Sequence, residues 1–317
     1  MNIGSLLIII GGAAPYIYAP SWTAVLIFRG LLGAGVGFYA VRNAALVKSV
    51  PYEKQARYIG LGTAMMNICN TVMQTLAGAL TKAGWNAPFL VNAFAIIPAV
   101  YIFLCFKEPV EDEPLLSEKE DENLLKNEKM DYHGWVYAVI QFFSTLSLYP
   151  LLSGMSTFLA SRNIGSATIA GTVLSVYTLT GFVVNLLLPN VKKIFGKSTP
   201  MIMCALVAVG QAIVLFVPNI VATYLGTILC GFGFMANFSL FYIYLGQSVP
   251  ASKVGFASSL ILALNQLSVF LSSYFIVGCH AVFGRATDVE SSFIGCIIVY
   301  AALALIFAFG KLVPEEK

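Results

Sequence analysis

Ten long apolar runs separated by polar connections leave this 317-residue chain few architectures to adopt. The runs cover residues 2–19, 22–47, 58–81, 87–106, 134–159, 168–189, 199–217, 220–247, 254–279 and 291–311. Hydrocarbon offers a backbone amide no partner, so a segment that crosses it must be a helix or part of a closed barrel. A bilayer core about 30 Å thick takes roughly 20 apolar residues of helix. Barrel strands are about half that length and alternate apolar with polar residues; these runs do neither. The expected fold class is an all-α polytopic membrane protein with ten transmembrane helices. Composition agrees, with 58% hydrophobic and 10% charged residues, against about a quarter charged in a soluble domain.

Lys and Arg in the connections set the orientation, because cytoplasmic loops carry the excess of cations. Arg42, Lys48, Lys54, Arg57, Lys107, Lys119, Lys126, Lys129, Lys192, Lys193, Lys197, Lys253, Lys311 and Lys317 fall on one side, and only Lys82, Arg162 and Arg285 on the other. The basic side is the cytoplasm, and ten crossings place both termini there. Residues 107–133 form the longest polar stretch, an acidic cytoplasmic linker with no apolar periodicity. Its two acid-plus-dileucine strings, Glu111 before Leu115 and Leu116 and Glu120 before Leu124 and Leu125, are read as incidental to a solvated linker, with a sorting signal as the alternative.

Other classes find no support in the residues. Net charge of +3 is too small to argue for nucleic acid. Cys69, Cys105, Cys204, Cys230, Cys279 and Cys296 lie mostly in apolar runs without CxxC or zinc spacing, and read as small packing residues. His133 and His280 stand near span ends with no metal-ligand spacing. Neither a GxSxG nucleophile motif nor a P-loop occurs, so an enzyme or an ATP-driven pump is not expected, and no cofactor is.

An internal repeat organises the chain. SVPYEK begins at Ser49 and SVPASK at Ser248, an offset of 199 residues. Each follows a Gly-rich span, RGLLGAGVG in one case and CGFGF in the other, and the same offset pairs Asn67 with Gln266. Moved back by 199, the last four spans overlie the first four. An even number of spans separates the copies, so the repeat is parallel, about an axis along the membrane normal. The domains read this way are 1–106, an incomplete N-terminal bundle of four helices; 107–133, the linker; and 134–317, a six-helix C-terminal bundle.

At this point the chain resembles the major facilitator superfamily. Arg29, Gly33 and Gly35 are similar to the family's Arg-x-x-Gln-Gly-x-Gly signature of its fourth helix, with Leu32 in place of the Gln. PYEKQARYIGLG and GWNAPFLVNA resemble the segments around helix five and before helix six, and VKKIFGKS (191–198) resembles the basic-Gly loop between helices eight and nine. The resemblance implies that the ten spans are the family's helices three to twelve and that counterparts of helices one and two are absent from this chain.

Candidate functional residues follow from polarity inside apolar spans. Arg29 lies well inside its span, where a charge costs roughly 2.5–3.5 kcal/mol and seeks an interior partner; the resemblance implies a partner on the missing helix one. Gly33 and Gly37, spaced GxxxG with Gly35 between, and Gly231 with Gly233, are read as close helix-packing positions. Asn67, Asn70 and Gln74 share one helix face, and three amides on a stripe are costly against lipid. Gln141 and Tyr149, Asn185, Asn237 and Tyr244, Asn265 and Gln266, and Tyr39 are the further candidates to line a central cavity, with helix–helix contact as the bland reading of each.

The function expected is a secondary active transporter moving a small solute by alternating access, in a bacterial cytoplasmic membrane. A non-transporting membrane sensor or an inactive fragment is the alternative. The stretch Met73–Gly78 lacks the Gly-Pro pair that many of the family's drug–proton antiporters carry in helix five. No Asp, Glu or His stands in the interior of any of the ten runs, so a proton carrier is expected in the absent helices.

Overall fold

The structure is a computed structural model, and it describes residues 2–18, 21–39, 52–105, 132–248, 251–284, 287–310 and 312. Within its helices the side chains of residues 2, 39, 52–64, 67, 133, 245–248, 251–259 and 262 are outside the description. The described residues contain helix and no strand. In chain order the α-helices are α1 (Asn2–Ile17), α2 (Trp22–Tyr39), α3 (Tyr52–Leu80), α4 (Ile96–Cys105), α5 (Tyr132–Ser161), α6 (Ala167–Phe195), α7 (Thr199–Phe216), α8 (Ile220–Ser248), α9 (Ala251–Phe283) and α10 (Asp288–Phe309). Six described stretches are long and apolar enough to cross a bilayer: Ala87–Cys105, Gly134–Ser161, Ala167–Phe216, Ile220–Tyr244, Ala263–Phe283 and Asp288–Phe309. The third of these contains both α6 and α7. Ile3–Ile17 and Trp22–Phe38 are shorter apolar helices. Most of the expected linker, residues 106–131, lies outside the described residues, as do parts of both SVP strings.

Local chemistry explains the described ends. Asn163 takes a left-handed φ of 55° after α5, and the amides of Ile164 and Gly165 return to the Leu159 carbonyl, a C-terminal cap of the kind Asn or Gly supports. At the tight turn from α6 to α7, Gly196 has φ 52°, and its N–H closes on the Lys192 carbonyl. Pro200 then sits in the first turn of α7, where a missing N–H costs nothing. Thr287 starts α10: its hydroxyl oxygen accepts from the Glu290 amide at 3.2 Å, and Asp288 and Glu290 place negative charge at the positive end of the helix. The observed start at Asp288 is therefore earlier than the expected 291. A second difference lies before α4. Residues 87–95 form a 3-10 helix, not the start of an α-helix, although such runs rarely exceed three or four residues.

The chain divides into two compact units, Met1–Glu113 and Pro114–Lys317. In the first, α1 packs along α2 and against the 3-10 segment Ala87–Ala95. In the second, α7 packs along α8 and against α10, α5 packs against α9 and α10, and α6 packs against α8. The second unit holds the larger core, with Tyr137, Leu151, Met155, Phe158, Met203, Phe241, Phe293 and Tyr300 all buried. Large exposed apolar side chains, including Trp22, Leu26, Ile97, Phe103, Leu186, Phe270 and Val282, cover the outside, as expected of a surface that meets lipid.

The repeat is visible in the helix positions. α7 begins at Thr199 where α1 begins at Asn2, α8 at Ile220 where α2 begins at Trp22, and α9 at Ala251 where α3 begins at Tyr52, offsets of 197, 198 and 199 residues. A close helix approach repeats too. A Cβ on Gly11 of α1 would collide with the backbone of Phe28 and Leu32 on α2, and one on Gly210 of α7 would lie 2.5 Å from the Gly226 carbonyl oxygen on α8. Gly11 and Gly210 are 199 residues apart.

Candidate functional site: polar side chains in the two units

In lipid the hydrophobic effect does not draw helices together, so packing and interhelical hydrogen bonds must. Three of the expected cavity amides in the second unit, Asn265, Asn237 and Asn185, serve this role, and Gln141 adds a bond within its own helix. Gln141 Nε2 donates to Thr145 Oγ1 at 3.1 Å, and Thr145 Oγ1 donates to Asn265 Oδ1 at 2.6 Å, tying α5 to α9. Asn237 Nδ2 on α8 reaches the Pro200 carbonyl at 3.3 Å and Cys204 Sγ at 3.2 Å on α7. Ser239 Oγ donates to Asn185 Oδ1 at 2.6 Å, joining α8 to α6. Interhelical bonds of this kind contribute about 0.6–2 kcal/mol each.

The other candidates divide differently. Tyr244 is buried beside Tyr137, ring centroids 5.9 Å apart, with Lys192 Nζ 6.0 Å from its ring. Tyr149 is half-buried on α5, and Gln266 is exposed near the middle of α9. In the first unit Asn70 is exposed and Gln74 half-buried on α3. The side chains of Asn67 and Tyr39 lie outside the described residues.

Arg29 makes a contact the sequence did not suggest: its guanidinium carbon lies 4.6 Å from the Phe89 ring centroid, a cation–π distance. Phe89 also meets Trp85, which meets Trp22. The expected glycine contact moves by two positions. Among the described residues a Cβ on Gly33 or Gly37 would meet nothing within 4 Å, whereas on Gly35 it would lie 2.7 Å from the Gly4 carbonyl oxygen. Gly231 lies against Tyr177 of α6 and Gly233 against the Met203 carbonyl of α7. In the same unit as Arg29, Asn92 Nδ2 donates to the Gly12 carbonyl at 3.2 Å and to the Phe89 carbonyl at 3.1 Å, holding the 3-10 segment to α1.

Two features of the second unit escaped the sequence reading. Glu290, taken for a span-edge acid, is buried, and Arg162 Nε lies 2.5 Å from its Oε1. This hydrogen bond holds the Arg162 pKa above its ordinary value. His280 Nδ1 and Asp288 Oδ1, 3.1 Å apart and both partly exposed, stand in the same helix-end region. The Thr-x-x-Glu string at 287–290 was the available signal, since it marks a helix start. The second feature is a set of buried polar atoms without a protein partner: Ser144 Oγ, Tyr177 Oη, both amide atoms of Gln211, Thr227 Oγ1 and Asn237 Oδ1. Left dry, each costs about 1–3 kcal/mol. Gln211 carried the same signal as the other amides, a polar residue in an apolar run.

The geometry defines a class first: a helical membrane protein of two units, in which three helices recur at offsets of 197 to 199 residues and several polar side chains join one helix to another. The sequence profile of the Major Facilitator Superfamily matches residues 1–273. The chain belongs to that superfamily. It is similar to an MFS-type transporter of Claviceps purpurea, 31% identical over 108 residues, which is 33% of this chain and 19% of that protein. It is similar to the multidrug resistance protein MdtG of Escherichia coli K12, 30% identical over 158 residues, 48% of this chain and 38% of that one. It is 36% identical over 93 residues to the multidrug resistance protein Stp of Mycobacterium tuberculosis, 28% of this chain and 17% of that one. The chain thus matches less than two fifths of the length of these relatives. Among solved structures, a D-xylose-proton symporter superposes with TM-score 0.73 at 15% identity, covering 99% of this chain and 80% of the other. The peptide transporter POT gives TM-score 0.73 at 12% identity, covering 99% and 80%.

Proposed function

We propose that this chain is a secondary active transporter that carries a small solute by alternating access in a bacterial cytoplasmic membrane, with both termini in the cytoplasm. The observation that carries the reading is the family match over residues 1–273. The topology rests on the one-sided distribution of Lys and Arg. Substrate contacts are assigned to the mid-helix polar residues Asn70, Tyr149 and Gln266. Asn185, Asn237 and Asn265 already hold their own bundle together, and Gln141 bonds within its own helix. An exposed amide at mid-helix is costly against lipid, so Asn70 and Gln266 are read as facing a polar space. The relatives named for multidrug resistance make drug-like molecules one substrate class to try. The structural neighbours named for D-xylose and for peptides supply two more.

The test is transport by the full chain in proteoliposomes, with and without an imposed pH gradient, using ethidium, D-xylose and a dipeptide. Transport of one of them, reduced by Gln266→Ala with the folded yield unchanged, is expected. A correctly inserted chain that moves none of them under either condition would favour a non-transporting protein.

A further inference from the structure

We propose that Gln211 and Thr227 hold ordered water inside the second unit, on one flank of the seam between α7 and α8. The seam is set by Gly210 and Gly226, each of whose carbonyl oxygens lies 2.5 Å from where the other's Cβ would be. The next residue on each helix is rotated by about 100° around its axis. α7 and α8 are joined by a short connection and run in opposite directions. Equal steps along them therefore turn toward the same flank. Gln211 and Thr227 share that flank, and both are fully buried.

Neither side chain is satisfied by protein. Gln211 Nε2, Gln211 Oε1 and Thr227 Oγ1 have no hydrogen-bond partner among the described residues. A helical threonine ordinarily turns its hydroxyl back to the carbonyl four residues earlier, as Thr178 does to Leu174, Thr180 to Val176 and Thr223 to Asn219. Thr227 does not, which leaves its hydroxyl available to an inward partner. Buried groups of this kind are rarely orphaned, and the usual partner is an ordered water making two to four bonds. Gln211 can offer two donors and an acceptor, and Thr227 one donor and an acceptor.

The repeat explains why the demand arises in this unit. Gly12 stands 199 residues before Gln211. At Gly12 the facing segment supplies the amide, Asn92, which bonds the Gly12 carbonyl and fills the space beside it. In the second unit the amide is on α7 instead. Residue 291, at the same offset from Asn92, is a serine; its hydroxyl turns to the carbonyl of the cap residue Thr287 and meets His280 Nδ1 at 3.5 Å, and Ser292 turns to the Val289 carbonyl.

The experiment is a structure of the full chain in lipid nanodiscs, at a resolution that shows ordered solvent, with thermal unfolding of Gln211→Met and Thr227→Val. Water density at about 2.7–3.2 Å from both side chains is expected. Gln211→Met should lower Tm by about 2–4 °C, and Thr227→Val should add little in that background because the water is shared. Gln211 bonded directly to another side chain, density of a different molecule, or no density with an unchanged or raised Tm in Gln211→Met would each overturn the proposal. Should Gln211→Met fail to fold, the wild-type density and Thr227→Val decide the matter.

Discussion

Removing the Arg162 guanidinium alone should weaken the second unit far more than removing both members of its ion pair. The Glu290 side chain is 4% exposed and that of Arg162 27% exposed, with Nε and Oε1 2.5 Å apart. Taking one partner from a buried pair typically costs about 3–5 kcal/mol, because the other charge is left uncompensated. Water reaches Arg162 in part, so about 2–4 kcal/mol is the appropriate figure for Arg162→Met. For a unit of this size that corresponds to a fall in Tm of roughly 5–12 °C. Changing Glu290 to Gln as well removes the stranded charge, and the double variant should recover to within about 1 kcal/mol of the parent. Asp288→Asn, which breaks the more exposed pair with His280, supplies the control and should cost under about 1 kcal/mol. The assay is thermal unfolding of each purified variant in one detergent, read by loss of the folded peak in size exclusion after heating. A small effect of Arg162→Met that the added Glu290→Gln change does not reverse would refute the reasoning, since it would show a solvated contact instead of a buried pair.

Gly210→Ala should cost about 1–3 kcal/mol by overpacking against the Gly226 carbonyl, while Gly33→Ala, with open space around it, should be neutral or stabilising by up to about 1 kcal/mol; unfolding midpoints check both. Asn92→Ala should cost about 1–2 kcal/mol through loss of its bonds to Gly12 and Phe89, and should raise the protease sensitivity of the first unit before that of the second.

The fold was legible because lipid leaves little choice. A run of Leu, Ile, Phe and Ala long enough to cross a bilayer has to be helical, and the expected 220–247 lies inside the observed Ile220–Ser248. The offset of 199 residues was legible from SVPYEK and SVPASK, and it also pairs Gly11 with Gly210, a match unnoticed in the sequence because the surrounding strings differ. Polar partners were not legible. Periodicity places Gln141 and Thr145 on one face but does not say that Asn265, 120 residues from Thr145, closes the relay. The same limit hid Arg162 and Glu290, 128 residues apart. Gly33 and Gly37 had the spacing for close packing, but which face of α2 meets α1 is decided in three dimensions, and it is the face of Gly35.

The polar relays also bear on where a solute can bind. A side chain whose hydrogen bond already joins two helices gives that bond to a substrate only by loosening the bundle, so the Thr145–Asn265 and Ser239–Asn185 links are poor sources of affinity and good sources of rigidity. A residue exposed at mid-helix has the opposite balance: it contributes little to packing and keeps its donors for another partner. Gln266 fits that description on α9, and its counterpart at the repeat offset is Asn67 on α3. The transport reading therefore expects the two kinds of amide to separate experimentally. Changes at Asn237 or Asn265 should lower the folded yield first, and changes at Gln266 should alter transport while the folded yield holds.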